Sequence, residues 1–145
     1  MLPHRNFAVV VLAVAALAAG ASAQIAKTKS AENAKVTIDS PANGATVSSP
    51  FTVKFGLKGM GVAPAGVQSP NTGHHHLFID TDKLPDFAVA LPPNSDTVRH
   101  FGGGQTEVEL TLAPGKHTLQ LVFADYLHIP HDRPLTSEKI TITVK

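Results

Sequence analysis

Three consecutive imidazoles, His74, His75 and His76, stand between Gly73 and the apolar run Leu77-Phe78-Ile79. Neutral imidazole is a ligand for zinc, copper and nickel. Side chains alternate across an extended strand, so His74 and His76 project to one face and His75 to the other. Two imidazoles on one face supply half of a metal site. A second group, Asp125-Tyr126-Leu127-His128-Ile129-Pro130-His131-Asp132, lies in a Pro-bearing loop where side chains can turn toward one point. His74, His76, His128 and His131 would together offer four nitrogen ligands. His100, just ahead of Gly102-Gly103-Gly104, is placed to provide or replace one of them. The expected cofactor is a copper or zinc ion, with a nearby carboxylate orienting a ring. Seven of the eight histidines fall between positions 74 and 131, and no cysteine competes for the metal.

The remaining candidates point to packing. His75 shares its face with Leu77 and Ile79, and His117 shares its face with Leu119 and Leu121, so both read as structural. Met60, between Gly59 and Gly61, is a possible soft ligand for copper(I) but reads as a packing residue. The triple glycine lacks the strand-to-helix context of a phosphate loop. The chain has no Gly-x-Ser-x-Gly elbow. Glu107 and Glu109 share a strand face and read as a solvated surface. The competing reading of the whole histidine group is a scaffold in which ring nitrogens brace loops through backbone carbonyls.

The elements that must position these residues are short and alternating. Phe51, Val53, Phe55 and Leu57 mark a half-buried strand, as do His75-Leu77-Ile79, Val108-Leu110-Leu112, Leu119-Leu121-Phe123 and Ile140-Ile142-Val144. Asn43-Gly44 and Pro114-Gly115 are turn signals. Leu84-Pro85 and Leu91-Pro92-Pro93 forbid a regular central strand, so residues 80–99 read as a long connection with a short edge segment. No window carries a helical period, and no internal repeat is visible. The pattern predicts an all-β, immunoglobulin-like antiparallel β-sandwich, with a cupin-like jelly roll as the alternative topology. The spacing His74-x-His76-x-x-x-Asp80 resembles the first cupin motif, whereas Pro114-Gly115-Lys116-His117 fits the second poorly.

Residues 1–23 read as a secretory signal peptide. Arg5 lies in its polar start, Phe7 to Ala18 form its apolar centre, and Ala21-Ser22-Ala23 matches a small-x-small cleavage site. That apolar run is too short for a span of about 20 residues. The expected protein is periplasmic or secreted, with no stable membrane anchor and, lacking cysteine, no lipid attachment. Cleavage would leave about 120 residues, enough for one domain. Residues 24–34 are polar and Lys-rich and read as a flexible leader, and residues 35–145 as a single sandwich domain. Of 12 basic residues one, Arg5, belongs to the signal, so the rest balance the 11 acidic residues. A neutral chain has no basic stripe for nucleic acid and none for anionic lipid.

Four segments together carry a family resemblance: residues 59–66, Gly73 to Asp80, His100 to Glu107, and Pro114 to Leu121. With the His128-x-x-His131 loop and Ser137-Glu138-Lys139-Ile140, they resemble the bacterial exported family known as domain of unknown function 4399. The resemblance implies no assigned activity. It does imply that His74, His75, His76, His100, His117, His128 and His131 belong to the family's shared motifs. It implies further that Gln105, Glu107 and Asp125 are partners of the same site. The leading expectation is a non-enzymatic metal-binding protein for storage, delivery or sensing of copper or zinc. A metal-dependent redox or hydrolytic enzyme and a structural or adhesion module without metal are the alternatives.

Overall fold

Every alternating segment forms a strand in the computed structural model, which describes residues 25–145. The expected signal peptide lies outside the described residues. The strands are β1 (Lys35–Ser40), β2 (Thr46–Val47), β3 (Phe51–Lys58), β4 (Gly61–Val62), β5 (Thr72–Ile79), β6 (Val98–His100), β7 (Glu107–Leu110), β8 (Gly115–Ala124), β9 (Pro130–Thr136) and β10 (Ile140–Val144). A three-stranded sheet runs β1-β3-β7. A larger sheet follows the path β2-β10-β8-β5-β4, with β6 joined to β5 and β9 to β8. Most pairs are antiparallel, but β2 with β10 and β4 with β5 are parallel. The sheets pack face to face as a β-sandwich rather than closing into a barrel. No helix among the described residues is long and apolar enough to cross a membrane.

The core lies between the sheets. Val36, Phe51, Val53, Phe55 and Leu110 of the small sheet meet Leu77, Ile79, Leu119, Leu121, Phe123, Ile140, Ile142 and Val144 of the large one. The alternation places Phe51, Val53 and Phe55 inward while Thr52 and Lys54 stay exposed. Such burial of Leu, Ile and Phe side chains stabilises by roughly 1.5–3 kcal/mol each.

A second, smaller cluster covers the outer face of the large sheet. Phe78, Val98, Val122 and Ala124 pack there beneath Leu91, with Leu84 and Phe87 of the 80–97 connection against them. That connection has the irregular course its prolines require, ending in the short strand β6. Its effect is to bury β5 on both faces from Gly73 to Ile79. The last four residues of β8 are likewise wholly buried.

The expected flexible leader is instead docked from Thr28 onward. Lys29 bridges Asp132, Ser30 N donates to the Asp132 carbonyl at 2.9 Å, and Asp132 N donates to the Thr28 carbonyl at 2.9 Å. The Arg133 guanidinium donates to the carbonyls of Ala31 and Glu32 at 2.8 and 2.9 Å. These are contacts of backbone with the edge of β9, which a reading of side-chain periodicity does not see.

Gly73 sets the start of the histidine strand. A Cβ there would overlap the Ala124 carbonyl oxygen and lie 2.8 Å from Phe123 Cε1 and 3.0 Å from His131 Cε1. Only a residue without a side chain lets β5 close on β8 at this point. Gly73→Ala should therefore destabilise the fold by about 3 kcal/mol through overpacking. Urea denaturation checks this; an unchanged midpoint would mean that the two strands part without cost.

Candidate metal centre

The register of the large sheet decides which histidines meet. His74 lies opposite Ala124 and His76 opposite Val122 on β8, while His76 lies opposite His100 on β6. Directly paired residues share a face, so His74, His76 and His100 stand together on the outer face of the large sheet. His128 joins them from the loop between β8 and β9. The Nε2 atoms of His74 and His100 are 3.0 Å apart, and so are those of His100 and His128. One nitrogen from each of His74, His76, His100 and His128 lies within 4.8 Å of all the others.

Asp125 builds the loop that delivers His128. Its Oδ1 accepts hydrogen bonds from Leu127 N at 2.9 Å and Ile129 N at 3.0 Å. Its Oδ2 accepts from the Thr28 hydroxyl at 2.8 Å. The backbone closes the same turn, with Asp125 N donating to the Ile129 carbonyl and His128 N to the Asp125 carbonyl. His128 itself sits at φ 66°, a left-handed conformation that costs a residue with a Cβ about 1–2 kcal/mol. Strain of this kind is held where surrounding bonds over-determine it, and it is common at binding sites.

The 80–97 connection clamps the two outer histidines. Leu91 N donates to the His128 carbonyl at 2.8 Å, and His100 N donates to Asn94 Oδ1 at 2.7 Å. A Cβ at Gly102 would overlap the His100 ring, so this glycine makes room for it. Thr28, Leu91 and Asn94 were not legible as site residues, because Leu91 acts through its backbone N–H and Thr28 and Asn94 through isolated polar side chains in irregular stretches. His100 and His128 line an open cavity of about 390 Å³ whose other walls are Ala90, Leu91, Pro92, Pro93 and Asn94. His74 and His76 are fully buried beneath them.

His131 does not join this group, contrary to the expected ligand set, and His100 stands in its place. Pro130 pairs with Ala124 and so shares the outer face; the next residue, His131, turns to the interior. There its ring stacks on Phe123 at 5.8 Å and its Nε2 faces the Thr72 carbonyl at 3.3 Å. His75 is also interior, between Phe55 and Phe123. His117 braces the far end of the sandwich, its Nδ1 2.7 Å from Asp80 Oδ2 and its Nε2 2.8 Å from the Ala113 carbonyl. Of the partners implied by the family resemblance, Asp125 borders the site. Gln105 instead accepts from Gly103 N, and Glu107 is exposed on the small sheet.

The charge state follows from burial. Burial lowers the His74 pKa to about 4, with His100 and His128 adding repulsion and Asp125 acting the other way. Burial, then His74, His100 and His128, lowers His76 to about 2. Burial lowers His75 to about 4, and burial followed by His128 lowers His100. Neutral imidazole is the form that binds metal. Each neutral nitrogen is either an N–H or a single in-plane lone pair. His100 Nε2 therefore makes at most one good hydrogen bond to the two nitrogens it faces. His74 Nδ1 and both nitrogens of His76 have no partner at all. Orphaned buried polar atoms cost roughly 1–3 kcal/mol each, and a shared cation would offset that cost for the one His76 nitrogen turned toward the cluster.

These shifts fix the pH dependence of the metal-free fold. His74, His75 and His76 bind protons below about pH 6.5 when unfolded but not when folded. Their contribution is complete above that pH and is lost as the pH falls toward their folded values. Between pH 6.5 and 5 each buried ring should remove about 2 kcal/mol of stability. His117 works in the opposite sense, because Asp80, followed by the Ala113 carbonyl, raises its pKa. Its contribution is present below about pH 6.5 and is lost as the pH rises through the raised value. Urea denaturation of chelator-treated protein at about pH 7.5 and 5 should show the net loss; equal stability at both would mean the rings are solvated.

The family profile described as Domain of unknown function (DUF4399) matches residues 53–145. That span holds all four converging histidines and both clamps of the 80–97 connection. No curated protein and no solved structure matches the chain significantly. A match over most of the chain, carrying the whole histidine cluster, establishes that this protein belongs to the DUF4399 family.

Proposed function

We propose that this protein binds one transition-metal ion, copper or zinc, through His74, His76, His100 and His128. The observation that carries the reading is the approach of His74 Nε2 and His128 Nε2 to 3.0 Å from the same His100 Nε2, with His76 in the same cluster and too few acceptor lone pairs for both contacts to be hydrogen bonds. A tetrahedral ion with nitrogen ligands at 2.0–2.1 Å sets its ligands about 3.3 Å apart, close to the 3.0 Å separations of His74 from His100 and of His100 from His128. The ligands come from a strand, a paired edge strand and a clamped loop, so little ordering entropy opposes binding. With the signal peptide read over residues 1–23, the protein would act outside the cytoplasm as a carrier, store or sensor.

The cavity beside His100 and His128 favours one alternative, a metal-dependent enzyme whose substrate enters from that side. Its lining carries no carboxylate, lysine or hydroxyl to move a proton, which favours the carrier. Calorimetric titration of metal-free protein with copper or zinc should give one ion per chain. His128→Ala and His76→Ala should each weaken binding by at least about 100-fold, more than loss of an outer-shell partner usually does. His131→Ala and His117→Ala should leave it within about threefold, since neither faces the cluster. Equal losses from His131→Ala and His128→Ala would contradict the proposed ligand set.

A further inference from the structure

We infer that the centre is a copper site that holds the monovalent ion more tightly than the divalent one, an inference that rests on the metal-binding reading above. Copper over zinc follows from the donors. Nitrogen sites bind divalent copper ahead of divalent zinc, and the described cluster holds four imidazoles and no other ligand type. Selection of zinc against that order would have to come from geometry or metal supply, because the four donors of the cluster are all imidazoles.

The oxidation state follows from charge. Four neutral ligands leave the full charge of the ion in place. The ion would lie against His74 and His76, which are wholly buried, on a sheet face of Phe78, Val122 and Ala124 beneath Leu91. The cost of placing an ion in such a medium rises with the square of its charge, so a divalent ion costs about four times as much as a monovalent one. Asp125 is the carboxylate beside the cluster: it follows Ala124, the residue paired with His74, and its carbonyl accepts from His128 N at 2.9 Å. The residue is itself buried, and its carboxylate already accepts three hydrogen bonds, from Leu127, Ile129 and Thr28. One carboxylate balances one positive charge. The centre is then neutral with the monovalent ion and carries a net charge with the divalent one.

The second coordination sphere agrees. Histidines that bind divalent ions usually donate their other N–H to a carboxylate or carbonyl, which raises the donor strength of the ring. His74, whose Nε2 faces the cluster, has no such partner at Nδ1. Its ring is therefore a weaker σ-donor than those of a typical divalent site. The open side, where His100 and His128 line the cavity, provides the path by which an ion enters.

The test is a redox titration of the copper-loaded protein, together with competition by zinc. By the thermodynamic cycle, the bound couple lies above that of aqueous copper only if the monovalent ion binds more tightly. Each tenfold preference is worth 59 mV for this one-electron couple. We expect a bound couple above the aqueous one, and no displacement of anaerobically loaded monovalent copper by equimolar zinc. A couple below the aqueous value, or displacement by zinc, overturns this inference while leaving the metal-binding reading in place. Absence of binding by monovalent copper, divalent copper and zinc removes both. Asp125→Asn supplies a second readout, because the amide oxygen can still accept the two loop N–H bonds while the negative charge is lost. Its bound couple should rise relative to wild type; a couple that stays or falls contradicts the charge argument.

Discussion

A strand that carries three consecutive imidazoles is buried along both of its faces, and the rest of the molecule is arranged around that constraint. Burying polar rings is costly unless their nitrogens find partners. His75 packs between Phe55 and Phe123 in the sandwich interior with neither ring nitrogen hydrogen-bonded. His74 and His76 stand among other imidazoles under the 80–97 connection, where only His74 Nε2 meets another ring nitrogen at hydrogen-bond distance. A monotonous strand would have left that face to solvent. Here the prolines that prevent the connection from forming a strand let it fold back as a cover, and Leu91, Phe87 and Leu84 fill the outer cluster.

The second determinant is the Asp125 loop. A hairpin between β8 and β9 needs only to reverse the chain, yet this one holds a buried carboxylate and a histidine at φ 66°. Asp125 satisfies two loop N–H groups, and through Thr28 it ties the loop to the N-terminal segment. The Leu91 N–H fixes the His128 carbonyl from the other side. The result is a histidine held from three parts of the chain, the preorganisation that the proposed metal site would require.

Much of this was legible from residue spacing. The alternation at Phe51, Val53 and Phe55 and at Leu119, Leu121 and Phe123 identifies the core strands because each apolar residue removes area from water on the same side. The His74/His76 pairing on one face follows from the same period of two. His131 escaped it, since a count of residues in a loop does not say where strand pairing resumes. Pairing resumes at Pro130, opposite Ala124, and so His131 faces inward while His128 does not. His100 could be named but not placed, because its position depends on the cross-strand register with His76. The docked segment from Thr28 was invisible for a related reason: its contacts are backbone hydrogen bonds to Asp132 and captured carbonyls at Arg133, which leave no trace in side-chain periodicity.

The central claim is that four imidazoles from three separate parts of the chain converge on one ion. A crystal structure of the copper-loaded protein, with anomalous differences measured across the copper edge, tests it most directly. Convergence requires a single strong peak on the outer face of the large sheet, about 2.0–2.1 Å from nitrogens of His74, His76, His100 and His128. A peak beside His131 in the sandwich interior or beside His117 and Asp80, or no peak in loaded crystals, would contradict it.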